Sequence, residues 1–389
     1  MISYGKQSVD QSDIDAVIKV LGGDWFTQGP YVEAFESDLR NHFGSECCAV
    51  VSSGTAALHL AGLALGWEPG DTILTTPTTF LASANSVMYS GADPSFVDID
   101  PESYNIDPDK LEEKIRDLLR QGRRVKAVVA VDYAGNPCDW KAIREIADRY
   151  SLQVINDNCH AMGAEYFGDT DYAIKYADVV IQSYHPVKHI TSGEGGAVLT
   201  NDRKIDEKIR LLRSHGMSKK IDQLEKSDGP WYYEMHELGF NYRITDIQCA
   251  LGSSQLKKLS KFNQVRARIA KTYDSNFSGN DFITSPEITA NVKHAYHLYP
   301  ILIDFQHINM SKTDFFAKMK KANVLLQVHY IPIHLQPYYR NKFGFKNGDF
   351  PISENFYLKE VSLPIFPDLA ESDQRHVIDT INSILGEHG

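Results

Sequence analysis

Between Cys47 and Thr200 the chain alternates short apolar runs with helix-like segments, and this rhythm limits its possible folds more than any other feature. Residues 47–51 (Cys-Cys-Ala-Val-Val) read as a buried strand, and 55–65 as an apolar helix closed by Gly66. Residues 71–74 are the next strand, and 81–89 the next helix, closed by Gly91. Strands follow at 94–98 and 125–131, then a helix of about three turns at 140–149, then strands at 152–155 and 179–181. Strands taking turns with helices predict an α/β domain with a mostly parallel sheet and helices on both faces. Such sheets bind ligands beyond the carboxyl ends of their strands. Residues at strand exits are therefore the first place to look for chemistry.

The texture changes after about Leu251. Charged helical segments at 255–261 and 267–273 precede a strand-like run at 297–303, a helix near 312–322 and a second strand-like run at 324–330. Pro300 lacks an amide hydrogen and predicts an edge strand. The expectation is a large domain over 1–250, including the N-terminal segment, and a smaller C-terminal α+β domain over 251–389. A net charge of −11 argues against a general nucleic-acid binder. No apolar run reaches membrane-spanning length, and no apolar signal core follows Met1, so the expected compartment is the cytoplasm. The five cysteines (Cys47, Cys48, Cys138, Cys159, Cys249) are odd in number and include no CxxC pair, which points away from a disulfide framework or a metal site.

Four strand exits carry candidate residues. Lys188 ends the run Ser183-Tyr184-His185-Pro186-Val187-Lys188 and precedes the turn Gly193-Glu194-Gly195-Gly196. An amine there can reach a carbonyl held at the end of the sheet, and the chemistry it suggests is a Schiff base with pyridoxal phosphate. Ser52-Ser53-Gly54-Thr55 lies between a strand and a helix, where unpaired amides favour a phosphate; a helix cap with no ligand has the same signature. Asp157 closes an apolar strand and can keep a pyridine nitrogen protonated, or simply cap the next turn. Phe80 follows Thr79 at the fourth exit and can stack on a planar ring or pack in the core. Ser183, five positions before Lys188, offers a phosphate-binding hydroxyl. His160 reads as a hydrogen-bond or ring-packing neighbour. His185 and His189 receive no role.

Taken in order, these pieces resemble the layout of fold-type I pyridoxal-phosphate enzymes. Ser52-Ser53-Gly54-Thr55-Ala56-Ala57-Leu58, Asp157 with Cys159-His160-Ala161, Ser183 to Lys188 and Leu238-Gly239-Phe240-Asn241-Tyr242-Arg243 resemble the DegT/StrS-type nucleotide-sugar aminotransferases over essentially the whole chain. The resemblance implies that Lys188 carries the cofactor, with Asp157 at the ring nitrogen and Phe80 against the ring. It implies Gly54, Thr55 and Ser183 at the phosphate. It also implies that Asn241 reaches the phosphate of a neighbouring subunit, and hence a homodimer with shared sites.

Within that family the chain looks most like the 4-aminotransferases of the pseudaminic acid pathway, through Tyr4, Asp13-Ile14-Asp15-Ala16-Val17, Phe26-Thr27-Gln28-Gly29-Pro30 and Gln327-Val328-His329-Tyr330. By that likeness Tyr4, Asp24, Trp25, Phe26, Thr27, Gln327, His329 and Tyr330 line a pocket for a UDP-sugar. Glutamate would be the amino donor, 2-oxoglutarate its product, and pyridoxamine phosphate the form that carries the amine. Asp24-Trp25-Phe26 and the aromatic stretch 221–236 depart from that group, and both lie where substrate choice can be set. Two other readings remain beside this one. A sugar dehydratase of the same fold has a histidine in place of the lysine, which raises the question of register at His189. A non-catalytic sugar-nucleotide sensor would be free to lose Lys188 or Asp157.

Overall fold

The computed structural model describes residues 1–285, 287–289 and 291–386. The first part of the chain runs α1 (Gln11–Leu21), α2 (Pro30–Phe43), β1 (Cys47–Val51), α3 (Gly54–Ala64), β2 (Asp71–Thr75), α4 (Leu81–Tyr89), β3 (Asp93–Phe96) and α5 (Pro108–Arg120). It continues through β4 (Arg124–Val131), α6 (Trp140–Arg149), β5 (Gln153–Asp157), β6 (Glu165–Tyr166), α7 (Tyr172–Tyr176), β7 (Val179–Ser183), β8 (Gly196–Thr200) and α8 (Arg203–Leu212). Seven of these strands form one sheet in the order β1-β8-β7-β5-β4-β2-β3. Only β8 runs against the others: it pairs antiparallel with both β1 and β7.

The period of two along each strand divides the large core. Leu74, Val128, Val154 and Val180 point into one apolar cluster, with Phe35, Trp140 and Ile143. Their neighbours Ile73, Val129, Ile155 and Ile181 point into the other, with Leu58, Ala61 and Val198. Because both faces are covered, the strands read as unbroken apolar runs. Two of the elements that go beyond the sequence reading bear on the sheet. Strand β8 begins at the last glycine of the expected turn, and α5 starts with Asp107 as its cap and Pro108 in its first turn.

Glu36 of α2 is buried beside β1. Its carboxylate accepts the Val50 N–H at 3.1 Å and pairs with Arg210 at 2.8 Å and Arg213 at 2.9 Å. Replacing it with alanine removes the buried carboxylate that two guanidinium groups and a strand amide share, although Arg210 keeps Asp206 and Arg213 keeps the Val50 carbonyl. Glu36→Ala should lower the unfolding free energy by about 3 kcal/mol, read as a lower denaturation midpoint at unchanged slope.

The rest of the chain runs β9 (Met217–Ser218), β10 (Glu234–Met235), α9 (Asp246–Leu256), α10 (Leu259–Phe277), β11 (Ile283–Thr284), β12 (Val292–Lys293) and β13 (Tyr299–Ile303). It ends with α11 (Lys312–Lys321), α12 (Pro337–Phe343), α13 (Pro351–Lys359), β14 (Glu360–Leu363) and α14 (Glu371–Gly386). Ile269, Tyr273, Ile301, Phe315, Val361 and Val377 form a separate core, against which Ile2 also packs. Residue 250 lies inside α9, whose Cys249 belongs to the large core.

Three expectations are corrected here. The helix expected over 255–261 is broken at Lys257 and Lys258, where the Lys258 amine turns to Asp10 and Asp13 at the start of α1 (2.5 and 2.6 Å). Pro300 lies in the middle strand of β11-β13-β14, not at an edge. Among the described residues β11 pairs only with Leu302 and Ile303, so no described partner flanks Pro300 on that side and its missing N–H is tolerated. The run 324–330 is not a regular strand; single bridges from Val324 to Ile2 and from Gln327 to Ser362 hold it. Among the described residues no helix is long and apolar enough to cross a membrane.

Candidate active site

The carboxyl ends of β1, β5 and β7 open into one cavity of ≈ 640 Å³. Tyr4, Gly54, Thr55, Phe80, Asp157, His160, Ser183, Lys188, Gln327, His329 and Tyr330, all singled out from the sequence, line it.

One end of the cavity is a cradle of backbone. Ser53 caps α3 by accepting the Ala56 N–H on its hydroxyl at 3.1 Å. Gly54 and Thr55 form the first turn, whose amides have no partner within the helix. The approach is too close for side chains. A Cβ on Gly54 would sit 2.9 Å from Ser183 Cβ, and one on Gly196 would sit 2.5 Å from the Ser53 carbonyl. Strand β8 thus presses the cradle against β7 and brings the Ser183 hydroxyl beside it. An anion fits this end.

Asp157 ends β5 and is buried. Ser83 donates to Oδ2 at 2.8 Å and the Cys159 N–H donates to Oδ1 at 3.4 Å. Thr79 lies 3.0 Å from the Ser83 hydroxyl, so a short polar chain holds the carboxylate in place. Phe80 stands at the N-cap of α4, 56% exposed, with its ring 6.1 Å from that of Tyr330.

The Lys188 amine opens into the same space, with His297 Nε2 at 3.5 Å. Burial pushes its pKa down, against the pull of Cys159 and Asp157, so a larger share of it is neutral and nucleophilic. The register is plain. His189 is buried and bonds the Ala295 carbonyl at 3.0 Å, away from the cavity lining. His160 bonds the Tyr330 hydroxyl at 3.1 Å, and its ring lies 4.3 Å from that of His297. Burial, aided by Lys188, pushes His160 well below the usual imidazole range, so it is neutral.

Asp24, Trp25, Phe26, Thr27 and Asn241 are not in the cavity lining of this chain. They are exposed: Thr27 bridges to Thr245, Asn241 bridges to Ser214, and Asp246 takes the Gly29 and Tyr31 amides. The aromatic stretch 221–236 is also outside the lining, with Trp231 71% exposed.

Sequence reasoning missed Ser83, Glu194, His297 and Gln336, which do line the cavity. Thr79 and Ser83 are four apart at the start of an apolar helix, which was a usable signal. His297 had none, since it lies 109 residues from Lys188.

An amine, a fixed carboxylate, an exposed aromatic ring and an anion cradle fit a planar cofactor bearing an aldehyde, a ring nitrogen and a phosphate. A family model described as the DegT/DnrJ/EryC1/StrS aminotransferase family matches residues 7–382. An uncharacterized protein of Methanocaldococcus jannaschii, MJ1066, is 42% identical over 98% of this chain and 96% of its own. The UDP-4-amino-4,6-dideoxy-N-acetyl-beta-L-altrosamine transaminase of Campylobacter jejuni is 39% identical over 99% of this chain and 98% of its own. Among solved structures, Helicobacter pylori PseC, an aminotransferase involved in the biosynthesis of pseudoaminic acid, superposes with a TM-score of 0.90 at 33% identity, covering 99% of both chains. The PLP-form of a putative sugar aminotransferase from Streptococcus pneumoniae, Spr1654, gives 0.89 at 25% identity, again covering 99% of both.

Proposed function

The chain belongs to the DegT/DnrJ/EryC1/StrS aminotransferase family, and from that footing we propose that it moves an amino group from glutamate to C4 of a UDP-linked 4-keto-6-deoxy-N-acetylhexosamine. The architecture is that of a fold-type I pyridoxal-phosphate-dependent transferase. The cofactor, when bound, supplies an aldehyde for amine exchange and a ring that withdraws electrons from the carbon losing its proton.

The residues that would hold it are Lys188 at the aldehyde, Gly54, Thr55 and Ser183 at the phosphate, Asp157 at the ring nitrogen, and Phe80 and His160 at the ring. Lys188 then acts as general base and acid. It takes the α-proton of glutamate in the first half-reaction and delivers a proton to C4 of the sugar in the second. The face from which it delivers sets the configuration at C4. Tyr4, Gln327, His329 and Tyr330 form the opposite wall and orient the sugar. The observation that carries this reading is the meeting of Lys188, Asp157 and the Gly54 cradle in one cavity, against a wall from the second lobe.

The sites are shared in a homodimer. Support comes from charge: among the described residues lining the cavity, Lys188 is the only lysine or arginine. The cofactor phosphate, the sugar's diphosphate and the carboxylates of glutamate all converge there, and one catalytic amine cannot balance them. A second copy would bring Asn241, with the cationic Arg243 two residues on, and the 24–27 segment to this cavity.

The proposed substrate is UDP-2-acetamido-2,6-dideoxy-β-L-arabino-hexos-4-ulose, the product its 4-amino-L-altrose derivative, and the setting pseudaminic acid biosynthesis. A panel of 4-keto nucleotide sugars incubated with glutamate tests this, with NMR of the product's C4 configuration. Amination of that ketone with the altro configuration is expected. Amination of a different sugar would replace the substrate. A deoxygenated product without a new amine would turn the reading to a dehydratase.

A further inference from the structure

Strand β14 has β13 on one side and the 327–329 segment on the other. Ser362 and Gln327 exchange backbone hydrogen bonds at 2.9 and 3.4 Å in antiparallel register. Continuing that register two residues along each segment sets His329 beside Glu360, where its N–H reaches the Glu360 carboxylate, and side chains two apart share a face. Three polar side chains therefore meet. Ser362 Oγ bonds Glu360 Oε1, His329 Nδ1 lies 2.9 Å from Ser362 Oγ, and the His329 N–H donates to Glu360 Oε2 at 3.1 Å. Glu360 and Ser362 have no exposed surface, while His329 lines the cavity.

The direction of these bonds follows from what each group can do. An ionised carboxylate only accepts, so the Ser362 hydroxyl hydrogen points to Glu360. The Ser362 oxygen is then left to accept, and His329 Nδ1 must carry a hydrogen. Burial, with Lys188 nearby, pushes the imidazole down to about 3, so the ring is neutral and holds a single N–H. Nε2 is therefore bare. The other groups that face this relay are Lys312, which draws Glu360 toward its ionised form, and Tyr133, whose hydroxyl donates to the His329 carbonyl. Burial opposes that ionisation and lifts the carboxyl to about 7, so the bonds run this way above that pH, where the carboxylate form dominates and where the tautomer is to be read.

We propose that Glu360 and Ser362 are positioning residues that fix His329 as its Nδ1–H tautomer, so that Nε2 accepts a hydrogen bond from an N–H or O–H of the sugar substrate. The sugar half of this statement rests on the nucleotide-sugar reading of the cavity; the tautomer half does not. A substrate presenting an acceptor at that point meets a lone pair and is disfavoured.

Glu360→Gln tests the relay without changing its shape. The His329 N–H must still be accepted, which turns the glutamine oxygen toward it and its NH2 toward Ser362. The Ser362 hydroxyl then accepts from the amide and donates to Nδ1, and the ring proton moves to Nε2. In full-length protein labelled with ¹⁵N-histidine, with His329 identified by loss of its signals in His329→Asn, the wild type should show a protonated Nδ1 and the variant a protonated Nε2. The KM for the sugar nucleotide should rise about tenfold in the variant, the size of one lost and opposed hydrogen bond. KM for glutamate and the glutamate half-reaction should not move. Ser362→Ala cuts the relay independently and should lose the fixed tautomer, which keeps the test decisive if Glu360→Gln does not fold. A wild-type spectrum with Nε2 protonated, or a tautomer indifferent to both substitutions, would overturn the proposal. An inverted tautomer with unchanged sugar KM would overturn its recognition half. The spectrum is read without substrate, so a wrong sugar and a wrong tautomer give different results.

Discussion

Lys188→Ala should leave a folded protein whose transamination from glutamate falls by about four orders of magnitude or more. The substitution removes two functions at once. The amine is the covalent anchor for the cofactor, and positioned acid-base catalysis alone is worth about 10²–10⁴-fold. The absorption band of the lysine-linked cofactor should vanish while far-UV circular dichroism stays unchanged, and retained turnover with glutamate would sink the assignment. Stability gives an independent sign. Burial lowers the Lys188 pKa in the folded protein, so the unfolded chain binds more protons between that lowered value and the ordinary lysine range. Within this window the lysine makes folding less favourable as pH falls. The cofactor-free Lys188→Ala protein should thus be slightly more stable than the cofactor-free wild type near neutral pH. The difference should shrink as pH rises through the window. Thermal unfolding of both cofactor-free proteins from pH 7 to 10 reads this trend.

The large sheet was legible because each strand is covered on both faces and its apolar run is short and bounded. The expected helix at 140–149 coincides with α6. Strand β8 was missed for a physical reason: its first residue is Gly196, whose lack of a side chain lets the Ser53 carbonyl approach, so the functional glycine disguised the strand start. Pro300 misled because edge or centre is decided by the length of a partner strand nearly twenty residues upstream, which local sequence does not encode.

The site followed the same division. Residues at strand exits, such as Asp157 and Lys188, could be picked out because strand ends are visible in the apolar pattern. His297 and the Glu360-Ser362-His329 relay depend on contacts between segments far apart in the chain, and nothing near them in sequence states it. Asp24, Trp25, Phe26, Thr27 and Asn241 are the converse: family resemblance singled them out, and in one chain they lie on the surface.

Asp157→Ala should reduce the rate of both half-reactions by about 10²–10³-fold, the range for removing one preorganised charge from a reacting centre. The argument rests on how the carboxylate is held. Asp157 is buried at the end of β5, with Ser83 donating to one oxygen and the Cys159 N–H to the other. A buried negative charge fixed in this way lacks a cation partner within the carboxylate's own hydrogen bonds, and a protonated ring nitrogen supplies one. Asp157→Asn separates charge from shape. The amide can still accept from Cys159 and meet Ser83, whose hydroxyl rotates, so packing should survive. The charge is gone, and the rate should fall nearly as far as in the alanine protein. Ser83→Ala only loosens the carboxylate and should cost a few-fold, consistent with the net value of one hydrogen bond. The measurement is the single-turnover rate with glutamate at full cofactor occupancy, so that weakened binding is not mistaken for slowed chemistry. Full activity in Asp157→Asn would mean that the ring nitrogen works unprotonated here. The carboxylate would then be a structural cap on the β5 exit, the bland alternative that the sequence also allowed.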